Sequence, residues 1–169
     1  MMKRVILDTS VYGELIKETD VVDKLVSIVP SNYVLYGTKI IRDELRDLSK
    51  DARFEGRGKR NLLLSLYDTL IKMDHHNLDV SSLIEIIASE FYKKYRANGG
   101  SRSLRDMIND FRIVACASFY GLDIVVSHDE KSMLAKESVK AYNVVCEEFN
   151  LTIPNFMPYR KFKEMISRD

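Results

Sequence analysis

Four carboxylates stand in this chain where a carboxylate is costly. Asp8 ends the apolar run Val5-Ile6-Leu7, and Asp129 follows a second run, Leu122 to Val126, apolar but for Asp123, after Ser127-His128. Glu44 lies among Ile40, Ile41, Leu45 and Leu48. On a helix those five positions share one face, while Asp43 and Asp47 fall away from it. Asp110 sits between Met107 and Val114 on a segment whose inner face reads Met107, Phe111, Val114, Ala115 and Ser118. It is near the start of that segment, where a helix favours negative charge. Asp106, one turn earlier, could extend the group, although a structural role is the preferred reading for it.

Taken singly, each acid has an ordinary explanation. Asp8 and Asp110 could cap helices, Glu44 could pair with a buried base, and Asp129 could occupy an exposed turn. Together they ask for more. A buried carboxylate is unfavourable unless paired or bound to metal. The same apolar segments supply no matching basic residues, and four such acids cannot all ionise side by side without a cation. Hard oxygen donors suit Mg²⁺ or Mn²⁺. One or two such ions can activate water and stabilise the leaving oxygen of a phosphodiester.

The elements that would position these acids alternate between strand and helix. Lys3–Leu7, Tyr33–Tyr36, Leu122–Val126 and a short Leu151–Ile153 before Pro154 read as strands. Helices are expected over Val11–Lys17, capped by Thr9 or Ser10, and over Asp20–Ile28, ended by Pro30. Thr38 opens another, and further helices are expected over Asn61–Met73, Val80–Tyr95 and Ser103–Tyr120, the last ended by Gly121. Met133–Phe149, broken near Ser138, and Tyr159–Ile166 complete the set. Continuous apolar strands are those of a parallel sheet buried on both faces. The expectation is a single-domain α/β/α sandwich over residues 1–169, with a mostly parallel central sheet and a helical elaboration at about 50–101. Asp8 and Asp129 then emerge at the carboxyl edge of the sheet, where sites in open α/β sheets are built.

Composition narrows the class. The chain has 169 residues, 46% hydrophobic and 30% charged, with a net charge of +1. That describes a globular protein without a globally basic surface. Cys116 and Cys146 have no zinc spacing, and the apolar run after Lys3-Arg4 is too short for a signal or membrane segment. A cytoplasmic protein with no membrane association is expected.

The acid-bearing blocks carry a resemblance. Leu7-Asp8-Thr9-Ser10, Ile40-Ile41-Arg42-Asp43-Glu44-Leu45, Asn109-Asp110-Phe111-Arg112-Ile113-Val114-Ala115-Cys116-Ala117 and Gly121-Leu122-Asp123-Ile124-Val125-Val126-Ser127-His128-Asp129 follow the order and rough spacing of the PIN-domain family. The chain resembles in particular the ribonuclease toxins of prokaryotic VapBC pairs. The resemblance implies a metal-dependent endonuclease for single-stranded RNA, with Asp8, Glu44, Asp110 and Asp129 as its catalytic, metal-binding acids. Thr9, Ser10 and Ser127 (in place of the more usual Thr) would orient water or ligands. It also implies an antitoxin protein as partner and a homodimer. Residues of about 50–101 match no pattern of that family.

A nuclease must also hold a phosphate backbone. Residues 50–60 read as an exposed, mobile loop whose Arg53, Arg57, Lys59 and Arg60 could contact RNA, with Phe54 free to stack on a base. Lys93, Lys94, Arg96, Arg102 and Arg105 form a second basic group. His75-His76 reads as a helix end with its rings pointing apart, and His128 as an exposed turn residue. A haloacid dehalogenase-type phosphatase needs a second aspartate where Ser10 stands, and a receiver domain needs an acidic neighbour beside its first aspartate; neither fits. The alternative from another class is a catalytically idle PIN fold that binds RNA or protein.

Overall fold

The structure is a computed structural model that describes all residues but Pro30 and Met73. The expected helix stops at those two positions therefore lie outside the described residues. Strands β1 (Lys3–Leu7), β2 (Tyr33–Thr38), β5 (Asn77–Leu78), β6 (Ile124–Ser127) and β7 (Asn155–Pro158) form one sheet in the order β5-β2-β1-β6-β7. Every pairing within it is parallel. A separate antiparallel pair, β3 (Arg53–Phe54) and β4 (Arg57–Gly58), lies outside this sheet. Among the described residues there are eight α-helices: α1 (Thr9–Leu15), α2 (Thr19–Ile28), α3 (Lys39–Arg46), α4 (Lys59–Leu70), α5 (Ser82–Ala97), α6 (Leu104–Phe119), α7 (Lys136–Glu148) and α8 (Tyr159–Ile166).

Val5, Ile6 and Leu7 of β1 are all fully buried. Successive strand residues face opposite sides, so both faces of the central strand are covered. The same buried set includes Leu63, Tyr67 and Leu70 of α4 and Ile84, Ala88 and Phe91 of α5. The segment that matched no pattern thus contributes to the common core.

Several local expectations need correction. Residues 53–58 form a hairpin rather than a structureless loop, turning through Glu55 at φ 49° and Gly56 at φ 76°. Two successive positive φ angles match the right-handed strand twist of a two-residue hairpin turn. Phe54 is half-buried in a groove with Leu15, Ile16, Leu62 and Leu66, not presented for stacking. Strand β2 runs through Gly37 to Thr38, where the Tyr67 ring lies so close that any Cβ would strike it. Tyr67 is held there by donating to the Thr38 carbonyl at 3.1 Å.

The last strand is β7, after Pro154, not Leu151–Ile153; its register places Ile124 beside Asn155 and Ser127 beside Pro158. Pro158, which lacks an amide proton, is tolerated because β7 is an edge strand. Helix α7 begins only at Lys136, and residues 130–135 are turns without a helix. His75 and His76 occupy a 3₁₀ turn with their rings edge-on at 4.4 Å between centroids, rather than pointing apart.

Candidate active site

Strands β1 and β6 are adjacent and parallel, with Leu7 beside Val126. The amide of Asp8 donates to the Val126 carbonyl at 2.9 Å. Asp8 and Ser127 therefore leave the carboxyl edge of the sheet side by side. Asp8 is 4% exposed. It also caps α1, accepting from the Thr9 amide at 2.7 Å, so the cap is the aspartate rather than Thr9 or Ser10. Its other oxygen accepts from Ser10 Oγ at 2.7 Å and Ser127 Oγ at 2.9 Å. Those serines in turn accept the amides of His128 and Asp129, each at 3.0 Å. Two hydroxyls thus tie Asp8 to the turn that carries Asp129.

Glu44 arrives from α3, which Thr38 caps by accepting from the Ile41 amide. Ile41 and Leu45 are buried beneath it, but α3 ends at Arg46, so Leu48 is exposed and does not continue the stripe. One Glu44 oxygen accepts from Thr9 Oγ, and the other accepts from Asn109 Nδ2 at 2.9 Å.

Asp110 and Asp129 meet through Ser132. Ser132 Oγ lies 2.7 Å from Asp110 Oδ2 and 2.6 Å from Asp129 Oδ2. A hydroxyl has one proton and can donate to only one carboxylate at a time. Burial, then the charges of Asp8, Asp129 and Glu44, push the Asp110 carboxyl up to about 7. Burial also raises Asp129, but Ser132 and the amides of Lys131 and Ser132 outweigh it and hold that carboxyl below its ordinary value. The arrangement that satisfies both is a protonated Asp110 donating to Ser132, which donates to an ionised Asp129.

Burial raises Asp8 as well, partly offset by Ser10, Ser127 and backbone donors. Burial raises Glu44 too, against the donors Thr9 and Asn109. The acids are bridged by hydroxyls, and among the described residues no three Asp, Glu, His or Cys side chains are gathered tightly enough to form a ready-made metal site. The donor set nevertheless fits a hard divalent cation. It is all oxygen, and burial makes both Asp110 and Asp8 resist ionising, Asp110 also through the charges of the other acids, a cost that a bound cation would offset.

The remaining candidates are dispersed. Asp106 is exposed and forms a reciprocal cap with Ser103, accepting from its hydroxyl at 2.7 Å while its own amide donates back. It does not reach the other acids. Arg53 and Arg57 are exposed on the hairpin, and Lys59 and Arg60 open α4 half-buried. Arg60 donates to the Arg46 carbonyl at the end of α3, at 3.4 Å. In the second basic group, Lys93 and Lys94 are taken up by ion pairs with Glu90 and Glu148. Arg102 lies near enough to Asp129 to lower its pKa. Ser132 and Asn109 were not singled out by the sequence: each is a lone polar residue whose partners lie on other elements.

No family model and no curated protein sequence matches this chain. Its structure is similar to a solved structure of VapBC-1 from nontypeable Haemophilus influenzae, with a TM-score of 0.57 over 93% of this chain and 98% of that one. The two are 16% identical, a likeness of fold. This chain has a PIN-like α/β fold, built on a five-stranded parallel sheet flanked by helices.

Proposed function

We propose that this protein is a metal-dependent endoribonuclease that hydrolyses phosphodiester bonds of single-stranded RNA, acting as one domain over residues 1–169. The observation that carries the reading is the approach of Asp8, Glu44, Asp110 and Asp129 from four separate segments around one sheet edge, where burial first and then the charges of the other three acids push Asp110 up to about 7. The likeness to VapBC-1 supports a VapC-type toxin with an antitoxin partner; the homodimer and the cytoplasmic setting rest on the reading of the sequence alone. Among the described residues no helix is long and apolar enough to cross a membrane.

Asp8, Asp110, Asp129 and Glu44 would hold one or two Mg²⁺ or Mn²⁺ ions. When bound, the metal supplies charge stabilisation and a more acidic water. The protein's own part is positional. Ser10 and Ser127 fix Asp8 against the 127–129 turn, and Thr9 fixes Glu44 against α1. Ser132 keeps Asp110 and Asp129 within one hydroxyl of each other and holds the proton between them. Arg53, Arg57, Lys59 and Arg60 are the candidates for contact with the RNA backbone.

Cleavage of a panel of single-stranded and structured RNAs, with and without Mn²⁺, tests this reading in the wild type and in Asp8→Asn and Asp110→Asn. Metal-dependent cutting of single strands that both substitutions abolish is expected. A metal that binds only the folded chain must also raise its melting temperature, adding about 2.7 kcal/mol at a hundred times its Kd. Cleavage that survives both substitutions, or a wild type that Mn²⁺ neither activates nor stabilises, would sink the nuclease and favour the idle binding module.

A further inference from the structure

We propose that Asn109, set by Arg112 and Glu85, is the positioning device for Glu44. The inference rests on the metal-site reading above and assigns residues outside the four acids.

Asn109 Nδ2 donates to Glu44 Oε1 at 2.9 Å, Arg112 Nη1 donates to Asn109 Oδ1 at 3.3 Å, and Arg112 Nε donates to Glu85 Oε2 at 2.9 Å. Asn109 and Arg112 are three apart on α6, so they share a face. Asp110, one residue along, turns instead to Ser132. Helix α6 thus sends neighbouring side chains to the two sides of the site.

The polarity of this relay is fixed by chemistry. A guanidinium has donors and no acceptor, so the asparagine atom facing Arg112 must be its carbonyl oxygen. The amide nitrogen is thereby turned to Glu44. Reversal of the amide would set oxygen against carboxylate at one end and donor against donor at the other. Glu85, on α5, keeps Arg112 in place; the two side chains are 44% and 31% exposed.

The interposed amide also explains why the arginine does not bind Glu44 directly. A guanidinium on the carboxylate would neutralise it and compete with a metal ion. A neutral amide gives Glu44 a hydrogen bond and a fixed direction while leaving its charge available. Thr9 does the same at the other oxygen. Glu85 belongs to the 50–101 segment, so the relay gives that segment a part in the site.

A charge-swapped pair separates positioning from simple support. The double variant Glu85→Arg/Arg112→Glu restores an ion pair between α5 and α6. It places a carboxylate next to Asn109, which then turns its nitrogen away from Glu44. Asn109→Leu removes the donor by an independent route in similar volume. Mn²⁺ binding measured by calorimetry, melting temperature and steady-state RNA cleavage are the readouts.

Both variants are expected to keep the wild-type melting temperature within a few degrees and to need at least about tenfold more Mn²⁺ for half-saturation. In cleavage, kcat falls while KM for RNA holds. A swapped pair that binds Mn²⁺ like the wild type, while Asp110→Asn does not bind it, overturns the relay and leaves the nuclease reading intact. A wild type that binds no Mn²⁺ overturns both.

Discussion

Asp8 and Asp129, which follow strands, are each held by several donors that include backbone amides, whereas Glu44, borne on a helix, is held by side chains alone. Asp8 takes a backbone amide and two serine hydroxyls. Asp129 takes the amides of Lys131 and Ser132 as well as a hydroxyl. Glu44 has one side-chain donor on each oxygen, Thr9 and Asn109. The strand-borne half is redundant and preset by parallel register. The helix-borne half depends on a series of single hydrogen bonds in which each member has one task, and it is the half that small changes should disturb.

The largest expected effect ignores that difference. Asp8→Asn and Asp110→Asn each remove a charge from the oxygen cluster. Since substituting mere outer partners of a metal ligand costs about 10–100-fold, each should cut the cleavage rate by about a hundredfold or more. Rates close to the wild type in either variant would mean that these acids are structural and that the contrast between halves has no catalytic content.

The contrast itself is sharpened by two hydroxyl deletions of similar size. Ser10→Ala removes one of three donors to Asp8, and water can enter at this half-buried position. Thr9→Val removes the only donor, among the described residues, to one oxygen of Glu44. The loss of one neutral hydrogen bond of about 0.5–1.5 kcal/mol, cushioned by the remaining donors, should leave Ser10→Ala within about threefold of the wild type. Thr9→Val should lose about tenfold in kcat and in Mn²⁺ affinity, with KM for RNA unchanged. If Ser10→Ala is the more damaged of the two, redundancy is not what protects the strand-borne half.

These halves also differ in how far the sequence revealed them. Asp8 and Asp129 were legible because a strand ending in an acid is written in consecutive letters. Glu44 was legible as an interruption in an apolar stripe, even though Leu48 proved not to belong to that stripe because the helix stops at Arg46. Ser132, Asn109 and Arg112 were not legible in their roles, since a lone polar residue has no periodicity and their partners are fixed only by tertiary packing. The same limit explains β7. Leu151-Thr152-Ile153 has the look of a strand, yet Ile153 is 43% exposed and the strand pairs after Pro154, in a register set by β6. The hairpin escaped because its turn places Glu55, an unusual residue for positive φ, before Gly56.

A smaller effect concerns pH. The Asp110 carboxyl rises from an ordinary 3.8 to about 7, through burial first and then the charge of Asp8. An acid whose pKa is higher folded than unfolded binds its proton more tightly when folded, so protonation stabilises the fold. That contribution is full below about pH 4 and is lost as pH rises through about 7. Without metal, the melting temperature should therefore fall between pH 4 and pH 7, with Asp8 and Glu44, also raised, adding to the slope. Asp110→Asn should flatten the decline, and saturating Mn²⁺ should reverse it, because the ion favours the ionised form. A wild-type profile that rises steadily across this range without metal would mean that the cluster is neutralised from within.

The smallest effect is expected furthest from both halves. The β3–β4 hairpin shares a groove with the end of α1, lined by Phe54, Leu15 and Ile16, whereas the acids sit at the opposite end of that helix, around Thr9. Six residues of helix separate the two ends by about 9 Å. Arg53 and Arg57 are therefore placed for RNA that extends beyond the cut. Alanine at both positions should leave kcat and Mn²⁺ affinity unchanged. KM should rise about threefold at low salt, and the slope of log affinity against log salt should fall by about 0.7 for each phosphate that the arginines no longer neutralise. If KM and the slope both stay at their wild-type values, the RNA path leaves the site over another face, and Arg102 beside Asp129 becomes the better place to look. If kcat falls instead, the hairpin acts through α1 on Thr9 and hence on Glu44, and the dependence of the helix-borne half on single hydrogen bonds extends across the molecule.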